Sequence, residues 1–190
     1  MDHLKETINE KTSDMAYGRG NAALAVVTRF SAGKTGDRLR AYEIVVEMLL
    51  KAQADPEQKN EEGKGALLEA LAAGAPPSIV RLLLAVTNPL QKDFEGCMPL
   101  HYAAFYGNPY HVRALLQHYR VRENLERGDI EGITPYGCTQ LEDSRDIRKG
   151  EVAALLVEEI NNQQLETREG ETKLKLAWKD PFLFLSLREF

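Results

Sequence analysis

The stretch that decides the fold runs Asp93-Phe94-Glu95-Gly96-Cys97-Met98-Pro99-Leu100-His101-Tyr102-Ala103-Ala104-Phe105-Tyr106-Gly107, then Asn108-Pro109-Tyr110-His111-Val112-Arg113-Ala114-Leu115-Leu116. Gly96 suits a left-handed turn, and Pro99 suits the first turn of a helix, where its missing N–H would have had no partner. Ala103 and Ala104 let a neighbouring helix approach closely. Leu100, Val112, Leu115 and Leu116 supply apolar area to bury. Gly107 and Pro109 end one helix and restart the chain as another. The spacing predicts helices over Pro99–Phe105 and Pro109–His118, and such a pair cannot bury its apolar face alone.

The stretch resembles an ankyrin repeat. The pattern Asp-x-x-Gly-x-Thr-Pro-Leu-His-x-Ala-Ala-x-x-Gly is met at Asp93, Gly96, Pro99, Leu100, His101, Ala103, Ala104 and Gly107, with Met98 where Thr is usual. The resemblance implies an all-α solenoid. It also implies that the His101 ring hydrogen-bonds between neighbouring repeats.

Outward from this unit the pattern recurs. Gly63-Lys-Gly-Ala-Leu67 through Gly74, followed by Ile79 to Leu84, is a second unit, and Gly63 precedes Gly96 by 33 residues, the ankyrin period. Pro76-Pro77 falls at the start of its second helix, which fits better than a proline-rich ligand motif. On the other side Asp129-Ile-Glu-Gly132-Ile-Thr134-Pro135 lies 36 residues after Gly96, so the link is longer by about one turn. Tyr136 and Gly137 stand in place of Leu and His. The returning helix is expected at Glu151–Asn161.

An earlier unit is expected from Gly20-Asn-Ala-Ala-Leu24, with its returning helix at Ala41–Lys51 and Val45, Val46, Leu49 and Leu50 as its apolar residues. A last one is expected from Gly170-Glu-Thr172-Lys-Leu174, with Pro181 to Phe190 as its second helix and Phe182 to Leu187 docked on the Val152–Ile160 helix. This gives about five helix-turn-helix units with degenerate terminal repeats: residues 17–190 as the repeat domain, after a polar leader or partial cap at 1–16, where Leu4 and Ile8 mark a turn and a half of helix. Two insertions stand out, at 31–40 and 141–149.

Composition bounds the function. The chain of 190 residues is 43% hydrophobic and 28% charged, as expected of one sizeable globular unit. The longest apolar runs fall well short of the roughly 18 residues needed to span a bilayer, and the start lacks the order of a secretory signal. A net charge of −5 opposes approach to a phosphate backbone. Only two cysteines occur, Cys97 and Cys138, outside any Cys-x-x-Cys pair, which favours a reducing compartment and gives no zinc pattern. The expectation is a cytoplasmic monomer without cofactor or metal, contacting neither membrane nor nucleic acid.

Catalytic patterns are weak. Gly33-Lys34-Thr35 would need a glycine at Thr28 and a preceding strand to read as a phosphate loop. Cys97 with His101 or His111 offers a thiol and a base but no orienting third group. The pairs Glu61-Glu62, Glu142-Asp143 and Glu158-Glu159 are adjacent in sequence and diverge on a helix.

What remains is surface. The resemblance implies that recognition positions lie at the hairpin tips and near the end of each first helix, on the concave side. These are Glu61, Glu62, Lys64, Ala72 and Ala73, then Phe94, Glu95, Cys97, Phe105 and Tyr106, then Ile130, Glu131 and Ile133. Aromatic side chains give much contact area for few rotatable bonds, so Phe94, Phe105 and Tyr106 are the expected anchors, the alternative being that the last two pack under 141–149. The reading is a non-enzymatic interaction module, adaptor or scaffold, for a protein with an apolar anchor and basic neighbours. Its rivals are an enzyme or effector whose chemistry sits in 31–40 or 141–149, and a scaffold piece of a longer chain.

Overall fold

The structure, a computed structural model, describes residues 23–141 and 148–179, with side chains through 168. Its elements are α1 (Ala23–Phe30), α2 (Gly36–Lys51), α3 (Ala66–Ala73), α4 (Pro77–Leu84), α5 (Pro99–Phe105), α6 (Pro109–Leu116), α7 (Tyr119–Arg122), α8 (Pro135–Cys138) and α9 (Arg148–Lys179). The described residues contain no strand.

Contacts divide the chain into a unit ending at Leu155 and a unit from Leu156. In the first, the helices form two layers. One layer stacks α1 on α3, α3 on α5 and α5 on α8, and the other stacks α2 on α4 and α4 on α6, while hairpin partners pair across. Between the layers Leu67, Leu71, Ile79, Leu83, Leu100 and Leu115 are fully buried, each contributing on the order of 2 kcal/mol. Ala70, Ala103 and Ala104 are also wholly buried, so small side chains sit where helices of adjacent repeats meet. In the second unit the described backbone is the remainder of α9.

Helix starts follow local chemistry. Pro77, Pro99, Pro109 and Pro135 all open helices. Asn108 caps α6 through a side chain that accepts from the amides of Tyr110 and His111, and the Thr134 hydroxyl caps α8 by accepting from Gly137. Met98, at the position equivalent to Thr134, has no such hydroxyl. There the His101 ring reaches back instead, and its Nδ1 accepts from the Met98 amide.

Several expectations are corrected. The second half of the insertion at 31–40 is helix: α2 starts at Gly36, not at Ala41, and a turn at Ser31–Thr35 is all that remains of the loop. Asp37 in the first turn complements the helix dipole, and Arg38, Leu39 and Arg40 are good helix formers. The helix expected to reach His118 stops at Leu116, and α7 follows as a separate turn.

The first helix of the fourth unit, where Tyr136 and Gly137 replace Leu and His, forms only over Pro135–Cys138. Its returning helix is far longer than Glu151–Asn161, because α9 runs unbroken through Gly170. The turn that would have opened a fifth unit is therefore not made. A mid-helix glycine costs roughly 1 kcal/mol relative to alanine, and the Glu, Lys, Leu and Ala residues around it outweigh that. The leader at 1–16, the part of 141–149 between 142 and 147, and the Phe182–Leu187 segment lie outside the described residues.

Candidate protein-binding surface

Three tips share one construction. At each, an Asn or Asp side chain folds back on the turn: Asn60 Oδ1 accepts from the amides of Glu62 and Lys64, Asp93 Oδ1 from Glu95 and Cys97, and Asp129 Oδ1 from Glu131 and Ile133. Such side-chain turns come naturally to Asx residues. The backbone then closes the hairpin, with the Asn60, Asp93 and Asp129 amides donating to the carbonyls of Lys64, Cys97 and Ile133. Gly63, Gly96 and Gly132 take the positive φ that each turn requires, at 81°, 79° and 80°.

Successive tips are joined edge to edge. The Phe94 amide donates to the Glu62 carbonyl at 3.2 Å, and the Ile130 amide to the Glu95 carbonyl at 3.0 Å. The absence of a side chain permits this approach: a Cβ on Gly63 would stand 2.7 Å from the Phe94 nitrogen, and one on Gly96 would stand 3.1 Å from that of Ile130.

Tips and first helices enclose a groove of about 410 Å³. Of the residues expected from the sequence, Lys64, Glu95, Cys97 and Phe105 line it, as do Tyr106, Ile130, Glu131 and Ile133. Phe94, Glu61 and Glu62 are exposed beside it and are not part of its wall. Ala72 and Ala73 are half-buried away from it.

The aromatic residues differ in setting. Tyr106 is 44% exposed and meets Phe105 edge to face, with ring centroids 5.1 Å apart. Phe105 is half-buried, and the buried Lys149 holds its Nζ 4.6 Å from the ring centroid. Lys149, the last residue of the 141–149 insertion, thus lies against Phe105. Phe94 stands outside the groove, with Lys59 Nζ 5.9 Å from its ring.

Charge around the groove is mixed but mostly acidic. Glu95, Glu131 and Asp129 carry the negative side. Lys64 is ion-paired with Glu62 and lies 5.5 Å from the Tyr102 ring.

Sequence reasoning missed His101, Tyr102, Asp129, Cys138 and Leu141 as wall residues. The Tyr102 hydroxyl donates to Asp93 Oδ2 at 2.6 Å and so ties α5 to its own tip. An Asp-to-Tyr separation of nine residues was the available signal, although no periodic rule marks it.

The thiol and imidazole groups are not arranged for nucleophilic chemistry. Burial first, then the nearby carboxylates of Asp93 and Asp129, push the Cys97 thiol up to about 12, so at neutral pH it is not a thiolate. Burial and Asp129 likewise push Cys138 up to about 11. His101 uses both ring nitrogens on the backbone, accepting from Met98 and donating to the Ile133 carbonyl at 3.0 Å. His111 is wholly buried on α6, its Nε2 2.8 Å from the Ala75 carbonyl. Asp93, Glu95 and Cys97 lie close enough to suggest a metal, but Asp93 already spends both oxygens on the tip amides and on Tyr102.

Residues 39–127 match the family model for ankyrin repeats (three copies). The matched stretch, just under half of the chain, consists of ankyrin repeats, and the stacked helix pairs and repeated tips agree with it. NF-kappa-B inhibitor delta of Mus musculus is similar to the chain, at 34% identity over 100 residues that make up 53% of this chain and 30% of that relative. The chain thus spans less than a third of the relative's length. The tip at Asp129–Ile133 falls just past the matched residues, yet it repeats the geometry of the two before it and continues the ankyrin array.

Proposed function

We propose that this ankyrin-repeat array, a protein-interaction module, holds a partner protein in the groove between its tips and first helices. The observation that carries the reading is the groove itself, where Tyr106, Ile130 and the half-buried Phe105 give an apolar centre inside a rim of Glu95 and Glu131. Phe94, Glu61 and Glu62 extend that surface beyond the wall. An apolar side chain of the partner fills the centre, and basic residues beside it meet the rim. Rim charges chiefly steer association and lose effect with salt, whereas the aromatic centre sets the off-rate.

Binding rather than catalysis fits the raised Cys97 thiol and a His101 ring spent on backbone. The net charge of −5 supports a protein partner over nucleic acid, and the two free cysteines support work in a reducing compartment such as the cytoplasm. Among the described residues no helix is long and apolar enough to cross a membrane.

The similar mouse protein is by its name an inhibitor of NF-kappa-B, so NF-kappa-B proteins are the first partners to assay. Purified NF-kappa-B subunits are titrated against the intact chain and against its Tyr106→Ala variant. The expected result is saturable binding that Tyr106→Ala weakens about 30-fold, the equivalent of roughly 2 kcal/mol at a hot spot. Binding of equal strength to both proteins moves the interface away from the groove. Without NF-kappa-B binding, a proteomic pull-down with the same variant as control repeats the test on other partners.

A further inference from the structure

Each interior tip is held to its follower by two contacts made by one residue. The amide of the second residue of the following tip donates to the carbonyl of the third residue of the preceding one, Phe94 to Glu62 and Ile130 to Glu95. The side chain of that same residue lies across the preceding glycine. A Cβ on Gly63 would stand 2.8 Å from Phe94 Cδ1, and one on Gly96 would stand 3.2 Å from Ile130 Cγ2. A bulky apolar residue thus covers each of these glycines, and both glycines are buried.

The tip at 129–133 is built in the same way and has no follower. Gly132 shares the φ of 80°, yet it is exposed, and a Cβ on it would meet nothing within 4 Å. Among the described residues no backbone amide donates to the Glu131 carbonyl, the equivalent of those of Glu62 and Glu95. The tip glycines stand 33 and then 36 residues apart, and an equal step beyond Gly132 falls inside α9, where helix takes the place of a tip. A backbone edge with an unpaired carbonyl is a template for another chain.

We propose that the open edge of the 129–133 tip binds an extended segment of a partner protein through one bulky apolar residue, whose amide donates to the Glu131 carbonyl and whose side chain crosses Gly132. Phe94 and Ile130 set the precedent for that residue, because each makes the same joint inside the chain. Main-chain bonding to an edge supplies affinity, and the side chain seated beside it supplies specificity.

A second copy of the chain does not offer this residue. The amides of Phe94 and Ile130 are already engaged on Glu62 and Glu95, and the remaining described tip carries Glu61 at the same position, a charge where the joint takes an apolar group. The contact at Glu131 and Gly132 does not depend on Tyr106 or on what the groove holds.

The test selects a phage-displayed library of random linear peptides on the full chain and measures the affinity of a selected peptide, made synthetically. The selected peptides are expected to share one Phe, Ile or other bulky apolar residue, and the amide NMR signals of Glu131 and Gly132 are expected to shift on titration. Methylating the amide nitrogen of the shared residue removes the donor, and Gly132→Ala places a methyl group in the path of its side chain. Each change is expected to weaken binding about 10-fold, with circular dichroism showing that Gly132→Ala keeps its helices. A selection that yields no such peptide overturns the proposal. So do peptides that bind equally well after N-methylation, whatever Gly132→Ala does to the tip. Peptides weakened by Tyr106→Ala but not by Gly132→Ala sit in the groove and overturn it as well.

Discussion

His101 and Ile133 are joined across a repeat boundary: the Nε2 of one donates to the carbonyl of the other at 3.0 Å, although 32 residues separate them. The same ring accepts from the Met98 amide through Nδ1, so one neutral tautomer serves both bonds and fixes α5 to the tip of the next repeat. His101 is 2% exposed, and water cannot readily replace it.

Replacing His101 with Ala leaves a buried amide and a carbonyl without their partner and opens a cavity. The expected cost is about 3 kcal/mol, measured as a lower midpoint in urea at pH 7.5 with the slope unchanged. A loss below about 1 kcal/mol would show that the tips hold together without the ring.

Burial holds both the His101 and the His111 imidazoles below their ordinary value. Unfolded, such rings titrate near about 6.5, so as pH falls the unfolded chain takes up protons before the folded one. The stability that these rings contribute is complete above that range and is lost as pH falls through it, by up to about 1.4 kcal/mol per histidine for each pH unit. Glu69 acts in the opposite sense: burial raises its carboxyl above 4.5, so its contribution is present in acid and lost as pH rises through the folded value. Urea midpoints between pH 7.5 and 5.5 should therefore fall, and fall less in His101→Gln. A flat profile over that interval would refute the assignment.

Much of this was legible in the sequence, because the signals are local. Pro99–Phe105 forms with the bounds that its spacing gives, and the Asp-x-x-Gly pattern marks tips whose side chain and glycine do all the turning within five residues. Where reading by pattern failed, a competing local term decided. Arg38, Leu39 and Arg40 extended α2 backwards into a supposed loop, and the helix formers around Gly170 overrode a turn glycine. The candidate groove was legible only as positions around each tip. That Tyr102 binds Asp93, or that Lys149 lies over Phe105, depends on packing between distant residues, which no spacing encodes.

The three tip glycines separate backbone strain from crowding. All have φ near 80°, so alanine at any of them carries a similar left-handed penalty of about 1 kcal/mol. At Gly132 a Cβ meets open space, at Gly96 it comes within 3.1 Å of the Ile130 nitrogen, and at Gly63 within 2.7 Å of that of Phe94. Stability should therefore fall in the order Gly63→Ala, Gly96→Ala, Gly132→Ala, the first costing more than about 2 kcal/mol. Equal losses, measured in urea, would mean that the tips shift apart freely.

The two aromatics of the groove should separate in the same way. Tyr106 is 44% exposed, so Tyr106→Ala should lower binding by about 2 kcal/mol at a smaller cost in stability. Phe105 contacts both Tyr106 and the Lys149 ammonium, so Phe105→Ala should cost stability as well as binding, on the order of 2 kcal/mol in urea. Lys149→Met distinguishes contact from charge, because it keeps most of the side-chain bulk over the ring and removes the cation. If it binds partner as the parent does but melts lower, the cation serves the fold alone. Should Tyr106→Ala lose stability with its affinity unchanged after correction for the folded fraction, Tyr106 belongs to the core and the groove does not hold the partner.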